Sequence, residues 1–219
     1  MRIGLLVMGC GRGSYLARCL GSLEPYLDQF AVKVLVDDSG NAGYVDGITA
    51  ALPPGWLVVG HDQQQGLAAS VNTGWGILDD HDLDFIFHVE EDFVFHAEPP
   101  LDDMAFILDE TPDLAQLVLQ RPPWSAEEIR AGNTLKLYAD EITQHDGWCE
   151  WRKWFSLNPC LYPWWVTGIG WPEHGGEDEF TPLVLERGYR LGVYGTPDDV
   201  PICEHIGRES VLFGGGGFT

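Results

Sequence analysis

Short apolar runs recur through the first half of the chain, and each empties into a glycine loop or a group of acids. Ile3 to Met8 leads into Gly9-Cys10-Gly11-Arg12-Gly13, and Val32 to Val36 into Asp37-Asp38-Ser39-Gly40. Trp56 to Val59 leads into the polar stretch His61 to Gly66, and Phe85 to Val89 into Glu90-Glu91-Asp92. Such unbroken runs read as strands buried on both faces of a parallel sheet. Helical spacing fills the gaps. Tyr15, Leu16, Cys19, Leu20 and Leu23 share a face, with Ser14 as N-cap and Pro25 as the stop. Tyr44 to Leu52 is a second helix candidate, and Leu67, Val71, Trp75 and Leu78 mark a third. A helix from Pro100 to about Glu110 and a strand from Ala115 to Leu119 continue the alternation. This pattern predicts an α/β sandwich around a mostly parallel sheet, with ligands beyond the carboxyl ends of the strands.

The second half is less regular. Six of the nine tryptophans (Trp148, Trp151, Trp154, Trp164, Trp165, Trp171) crowd between 148 and 171, and Asn158-Pro159 and Tyr162-Pro163 break that stretch into short extended pieces. Trp148, Trp151 and Phe155 lie at helical spacing and read as core. A helix from Glu177 to Arg187 ends at Gly188, and a strand from Arg190 to Tyr194 follows. One domain is expected over 1–219, with a flexible tail at 208–219 that includes four consecutive glycines.

Charge narrows the partners. The 219 residues hold 34 Asp+Glu against 12 Lys+Arg, a net charge of −22, so generic binding to phosphate backbones or anionic lipid is disfavoured. A hydrophobic content of 45% supports a packed core despite that charge. No apolar run approaches the ~18 residues of a spanning helix, and the start lacks a signal-peptide pattern. A cytoplasmic location is expected. The five cysteines are widely spaced without a C-x-x-C pair, which argues against a disulfide framework and a structural zinc site.

Several groups can carry chemistry. Three consecutive acids, Glu90-Glu91-Asp92, repel one another unless a cation neutralises them, and a hard divalent ion is the natural partner. The plainer alternative is a solvated loop. Gly176-Glu177-Asp178-Glu179 offers a general base, or merely acids complementing a helix N-terminus. Cys203-Glu204-His205 places a lone imidazole late in the chain, a ligand or a structural histidine. Asp37-Asp38-Ser39 is a nucleoside acceptor site or an ordinary turn. The tryptophans stack on a sugar or a base, or pack beneath a loop-rich lobe.

In this order, the pieces resemble the GT-A glycosyltransferases, particularly the family 2-like inverting enzymes. Gly11-Arg12-Gly13-Ser14-Tyr15-Leu16 with Cys19-Leu20-Gly21-Ser22-Leu23 looks like that family's first loop and helix. Val36-Asp37-Asp38-Ser39 is similar to its second strand end, where the resemblance gives Asp38 a contact to the nucleotide base. Gly66 to Gly74, including Asn72, resembles the segment that closes over the donor. Glu90-Glu91-Asp92 takes the place of the DxD motif. The resemblance implies that Asp92 binds Mn²⁺ or Mg²⁺, that Glu90 or Glu91 faces the ribose or a metal-bound water, and that His205 completes the metal shell. It makes Asp178 the catalytic base, and Arg12 a positive charge near the phosphates.

The implied function is metal-dependent transfer of a sugar from a nucleoside diphosphate sugar, a UDP-sugar, to a hydroxyl acceptor with inversion. Residues 1–119 would hold the nucleotide sugar, and 120–207 the acceptor and base. A modified phage DNA base is held open as acceptor, on condition that Arg121, Arg130, Lys136, Arg152 and Lys153 form a local basic strip. Two rivals stand beside this reading. An NAD-dependent oxidoreductase would use Gly9-x-Gly11-x-Gly13, but Ser14 stands where the dinucleotide fingerprint needs Gly or Ala. A non-catalytic carbohydrate- or protein-binding module would use the Trp-rich lobe. A zinc deaminase is set aside, because Pro163 stands where the second cysteine belongs.

Overall fold

The computed structural model describes residues 1–207. In chain order the elements are β1 (Ile3–Gly9), α1 (Gly13–Leu23), β2 (Val32–Asp37), α2 (Ala42–Ala51), β3 (Trp56–Gly60), α3 (Leu67–Asp79), β4 (Phe85–Glu90) and β5 (Phe93–Phe95). They continue with α4 (Leu101–Glu110), β6 (Leu114–Val118), α5 (Ala126–Ala131), α6 (Thr134–Leu137), β7 (Ile142–Gln144) and β8 (Trp148–Trp151). The last are β9 (Cys160–Pro163), α7 (Glu177–Leu185), β10 (Arg190–Tyr194) and β11 (Cys203–His205).

Nine strands form one sheet in the order β3-β2-β1-β4-β9-β6-β10-β8-β7. The first four are parallel neighbours, as are β6 and β10. β9 runs antiparallel between β4 and β6, and β8 runs antiparallel between β10 and β7. The mostly parallel α/β sandwich expected from the apolar runs is therefore present. Strand alternation sends Leu6 and Met8 to one face, with Val71, Trp75 and Leu78 of α3. Leu5 and Val7 face the other side, with Leu16, Cys19 and Leu23 of α1 and Met104 and Leu108 of α4.

Three local expectations are corrected. Arg12, not Ser14, is the N-cap of α1, and its carbonyl accepts the N–H groups of Tyr15 and Leu16. Pro25 does not stop the chain's helical course; it sits in the first turn of a 3-10 segment, Glu24–Gln29, where a missing N–H costs little. Trp148 and Trp151 lie on a strand rather than a helix. A spacing of three puts them on opposite faces, and they enter opposite cores.

A second, two-stranded sheet decides the geometry below. β11 pairs antiparallel with β5, aligning His205 with Phe93 and Cys203 with Phe95. Among the described residues no helix is long and apolar enough to cross a membrane. The tail expected to be flexible, 208–219, lies outside the described residues.

Candidate active site

The adjacent strands β2, β1 and β4 end side by side, and their ends frame a cleft of about 20 Å³ lined by Cys10, Arg12, Asp38, Ser70, Glu90 and Glu91 among others. Its acids are fixed by backbone donors. Buried Asp37 accepts the N–H groups of Gly11 at 2.9 Å and Ser39 at 3.0 Å. Asp38 accepts the N–H of Gln65 and of Gly66, both at 2.7 Å, and takes His61 Nδ1 at 2.7 Å. The Gly66 bond depends on a φ of +91°, a conformation that glycine adopts without strain. His61, which the sequence did not mark, bridges Asp38 to Thr73 Oγ1 at 3.0 Å. Asp38 and Gly66 thus lock the β3–α3 loop to the end of β2. Asn72 is not brought to the cleft: it is exposed, and its Nδ2 donates to the Trp171 carbonyl at 3.2 Å.

Glu90, Glu91 and Asp92 separate into three environments. Glu91 is fully buried, and its N–H donates to the Met8 carbonyl at 2.8 Å. Its Oε1 accepts the Cys10 N–H at 2.9 Å and Arg12 Nε at 2.6 Å, while buried Oε2 has no hydrogen-bond partner among the described residues. Burial pushes its carboxyl above the usual range, against the pull of Arg12. Glu90 is half-buried at the cleft and is pushed well above that range by burial, Asp92 and Glu177. Of the two glutamates expected to face the ribose, Glu90 keeps the open position. Asp92 goes the other way. Burial would raise it, but the His205 hydrogen bond and the charges of His205 and Arg12 outweigh that and hold it below the usual range.

Asp92 and His205 meet because β11 zips onto β5. The Ile206 N–H donates to the Asp92 carbonyl at 2.8 Å, and His205 Nε2 lies 3.3 Å from Asp92 Oδ2. The same oxygen accepts Arg12 Nη1 at 2.9 Å. The His205 ring is wedged edge-on against Phe93 and Trp124, at centroid distances of 4.9 and 4.8 Å. Gly207 completes the fit: a Cβ there would collide with Asp92 Oδ2. Phe93, Trp124 and Gly207 escaped the sequence reading. His205-x-Gly207 was the only available signal for the last of them.

In the first turn of α7, the charge of Glu177 is one of the causes that raise Glu90. Glu177 accepts the Leu157 N–H, and burial keeps its carboxyl above the usual range. Asp178 is exposed on the same turn, and Glu179 closes the turn by accepting the Gly176 N–H at 2.7 Å.

Beyond β6 lies a cavity of about 160 Å³, walled by Tyr138, Trp151 and Trp154 with Ser156 and Asn158. Leu157, between those last two, is the residue that Glu177 holds, so the cavity wall is tied to the turn carrying Asp178. The lobe is anchored by Glu128. Its carboxylate takes two bonds from Arg121 (3.2 and 3.1 Å), one from Thr134 Oγ1 (2.6 Å) and the N–H groups of Trp124 and Ser125. Burial opposes them, yet these donors hold it down to about 2. Of the expected basic strip, Arg130 is exposed and makes no ion pair among the described residues, while the other four are paired. Arg121 pairs with Glu128, Lys136 with Asp198, Arg152 with Glu150 and Lys153 with Glu141.

Among the described residues no three carboxylate, imidazole or thiolate groups gather to hold a metal ion. The 3.3 Å between Asp92 Oδ2 and His205 Nε2 is nevertheless close to the ~3 Å between adjacent ligands of an octahedral Mg²⁺-sized ion. The pair fits a divalent cation that takes its other ligands from a diphosphate and water.

No protein-family model matches the sequence, and no curated protein matches it. Solved structures do resemble the fold. GalNAc-T7, solved with UDP, GalNAc and Mn²⁺, aligns with a TM-score of 0.63 at 14% identity, over 94% of this chain and 44% of that one. S. aureus TarS 1–349 aligns with a TM-score of 0.58 at 17% identity, over 96% and 62%. Its complex with UDP-GlcNAc gives 0.58 at 18%, over 93% and 58%. This chain therefore spans roughly half the length of the structures it matches, and it has the GT-A fold.

Proposed function

We propose that the protein is a metal-dependent inverting glycosyltransferase that moves a sugar from a UDP-sugar to a hydroxyl of an uncharged acceptor. One observation carries the reading: Asp92 Oδ2 and His205 Nε2 stand 3.3 Å apart at the carboxyl ends of the strands. Neighbours of this fold were solved with UDP, and ligands of open α/β sheets bind beyond the carboxyl ends of the strands; both support a diphosphate and its cation at this pair. Asp92 and His205 hold the ion, which supplies Lewis-acid stabilisation of the charge developing on the leaving diphosphate. Glu90 lines the ribose side of the cleft, and Asp38 fixes the loop that borders the base. Asp178 takes the proton of the attacking hydroxyl, and Glu177 holds that turn through Leu157. Attack from the side opposite the leaving group inverts the anomeric carbon.

The aromatic cavity beside α7 receives the acceptor, with 1–119 and 120–207 dividing donor and acceptor binding. Among the described residues its lining arginine is paired with Glu128, and Lys136, Arg152 and Lys153 are paired as well; with a net charge of −22 and Arg130 alone left unpaired, a DNA base on a polyanionic backbone is disfavoured. Five free cysteines agree with a reducing, cytoplasmic setting. A screen of nucleotide sugars reading released nucleoside diphosphate, with Mn²⁺ or with EDTA, tests the assignment. Metal-dependent release of UDP is expected. Release that survives both Asp92→Ala and Asp178→Asn would overturn it.

A further inference from the structure

We infer that Arg12 is a resident cation that closes the donor cleft and exchanges with the donor's metal, the guanidinium and the ion being alternative partners for one oxygen of Asp92. The inference rests on the glycosyltransferase reading and adds to it an order of events. Arg12 clamps two acids together: Nε meets Glu91 Oε1 at 2.6 Å and Nη1 meets Asp92 Oδ2 at 2.9 Å. The second oxygen is the one that faces His205. Arg12 also lines the cleft, whose volume of about 20 Å³ is room for little more than a water molecule. While the side chain lies there, anything that approaches Asp92 Oδ2 meets the guanidinium already bound to it.

The chemistry around Arg12 makes the exchange natural. Asp38, Glu90, Glu91 and Asp92 approach the cleft, and among the described residues the arginine or lysine lining it is Arg12 alone. A diphosphate arriving alone meets these acids. A divalent ion arriving alone must displace from Asp92 one arm of a guanidinium whose other arm stays on Glu91. Arriving together, the ion replaces Arg12 on Asp92, and the released fork meets phosphate oxygens, for which its planar geometry is suited. The backbone need not move. The Arg12 carbonyl stays bonded to Tyr15 and Leu16 at the start of α1, and the side chain is partly exposed, lying 5.3 Å from the Tyr15 ring. Arg12 thereby couples metal and nucleotide binding, so that each favours the other.

Mn²⁺ binding to the whole chain, followed by the loss of the free-ion paramagnetic resonance signal, tests this with and without UDP. Without UDP, Arg12→Gln should bind Mn²⁺ about tenfold more tightly than wild type, the scale of one charge-assisted hydrogen bond. Arg12→Lys keeps the charge but loses the fork, and should tighten binding severalfold. If Arg12→Gln tightens binding and Arg12→Lys matches wild type, simple repulsion explains the effect and the exchange is overturned. Unchanged or weaker binding by both variants also overturns it. If melting shows that Arg12→Gln is unfolded, Arg12→Lys alone decides. With UDP present, the enhancement of Mn²⁺ affinity should shrink in both variants, and an undiminished enhancement overturns the coupling. Failure of wild type to bind UDP with Mn²⁺ is a different result: it removes the glycosyltransferase reading itself.

Discussion

Two buried glutamates, each paired with an arginine, behave in opposite ways. Glu128 in the 120–158 lobe accepts five hydrogen bonds, and its carboxyl is held down to about 2. Glu91 at the end of β4 accepts two, leaves one buried oxygen unpartnered, and is pushed above the usual range. The ion pair is the same; the surroundings are not. Around Glu128 donors outnumber charge, so the pair is a finished piece of architecture. Around Glu91 other acids share one arginine among the described residues, so acids outnumber the cations there. Counting donors around a buried carboxylate, rather than finding its salt bridge, separates the anchor from the proposed reactive centre.

The sharpest way to test this division lies on the reactive side. Asp178→Asn should lower kcat by about 10²–10⁴ while calorimetry shows Mn²⁺ and UDP binding as in wild type. A loss confined to UDP affinity would move Asp178 out of the base role. Next comes the anchor. Glu128→Gln should cost about 3 kcal/mol of stability in urea unfolding, because Arg121 is left uncompensated, and Glu91→Gln should cost clearly less. The reverse order would break the comparison.

Acid sharpens the same point. The Glu128 carboxyl sits at about 2 in the fold against 4.5 for a free glutamate, so its stabilisation is complete above 4.5 and fades as pH falls toward 2. The stability gap between wild type and Glu128→Gln should narrow over that window, as unfolding at stepped pH would show. The smallest effect belongs to the cavity. Trp154→Ala should raise acceptor KM about tenfold through lost aromatic contact, with UDP affinity unchanged in a titration.

Legibility in the sequence followed the period of the pattern. β1, β2, β3 and β4 were readable because each is an unbroken apolar run, and α3 because Leu67, Val71, Trp75 and Leu78 repeat as a helix does. β8 was not, since tryptophans three apart mimic a helix face while occupying both faces of a strand. β5 and β11 have three residues each, too few for any periodicity, yet their pairing creates the Asp92–His205 contact. The order of the motifs pointed to that convergence; no local pattern did. Arg12 was legible as a charge on a glycine loop, but its hold on Glu91 and Asp92 depends on the parallel register of β1 and β4. Asn72 was misplaced because a position in the middle of a helix carries no sign of which way its amide turns.

The short ribbon joining β5 and β11 also sets a schedule for biosynthesis. As the polypeptide leaves the ribosome, the strands ending at Gly9, Asp37 and Glu90 can assemble early, while the imidazole emerges far later. Any fragment that stops short of Cys203 carries Asp92 without its partner, so truncated translation products lack the contact on which the proposed donor site is built.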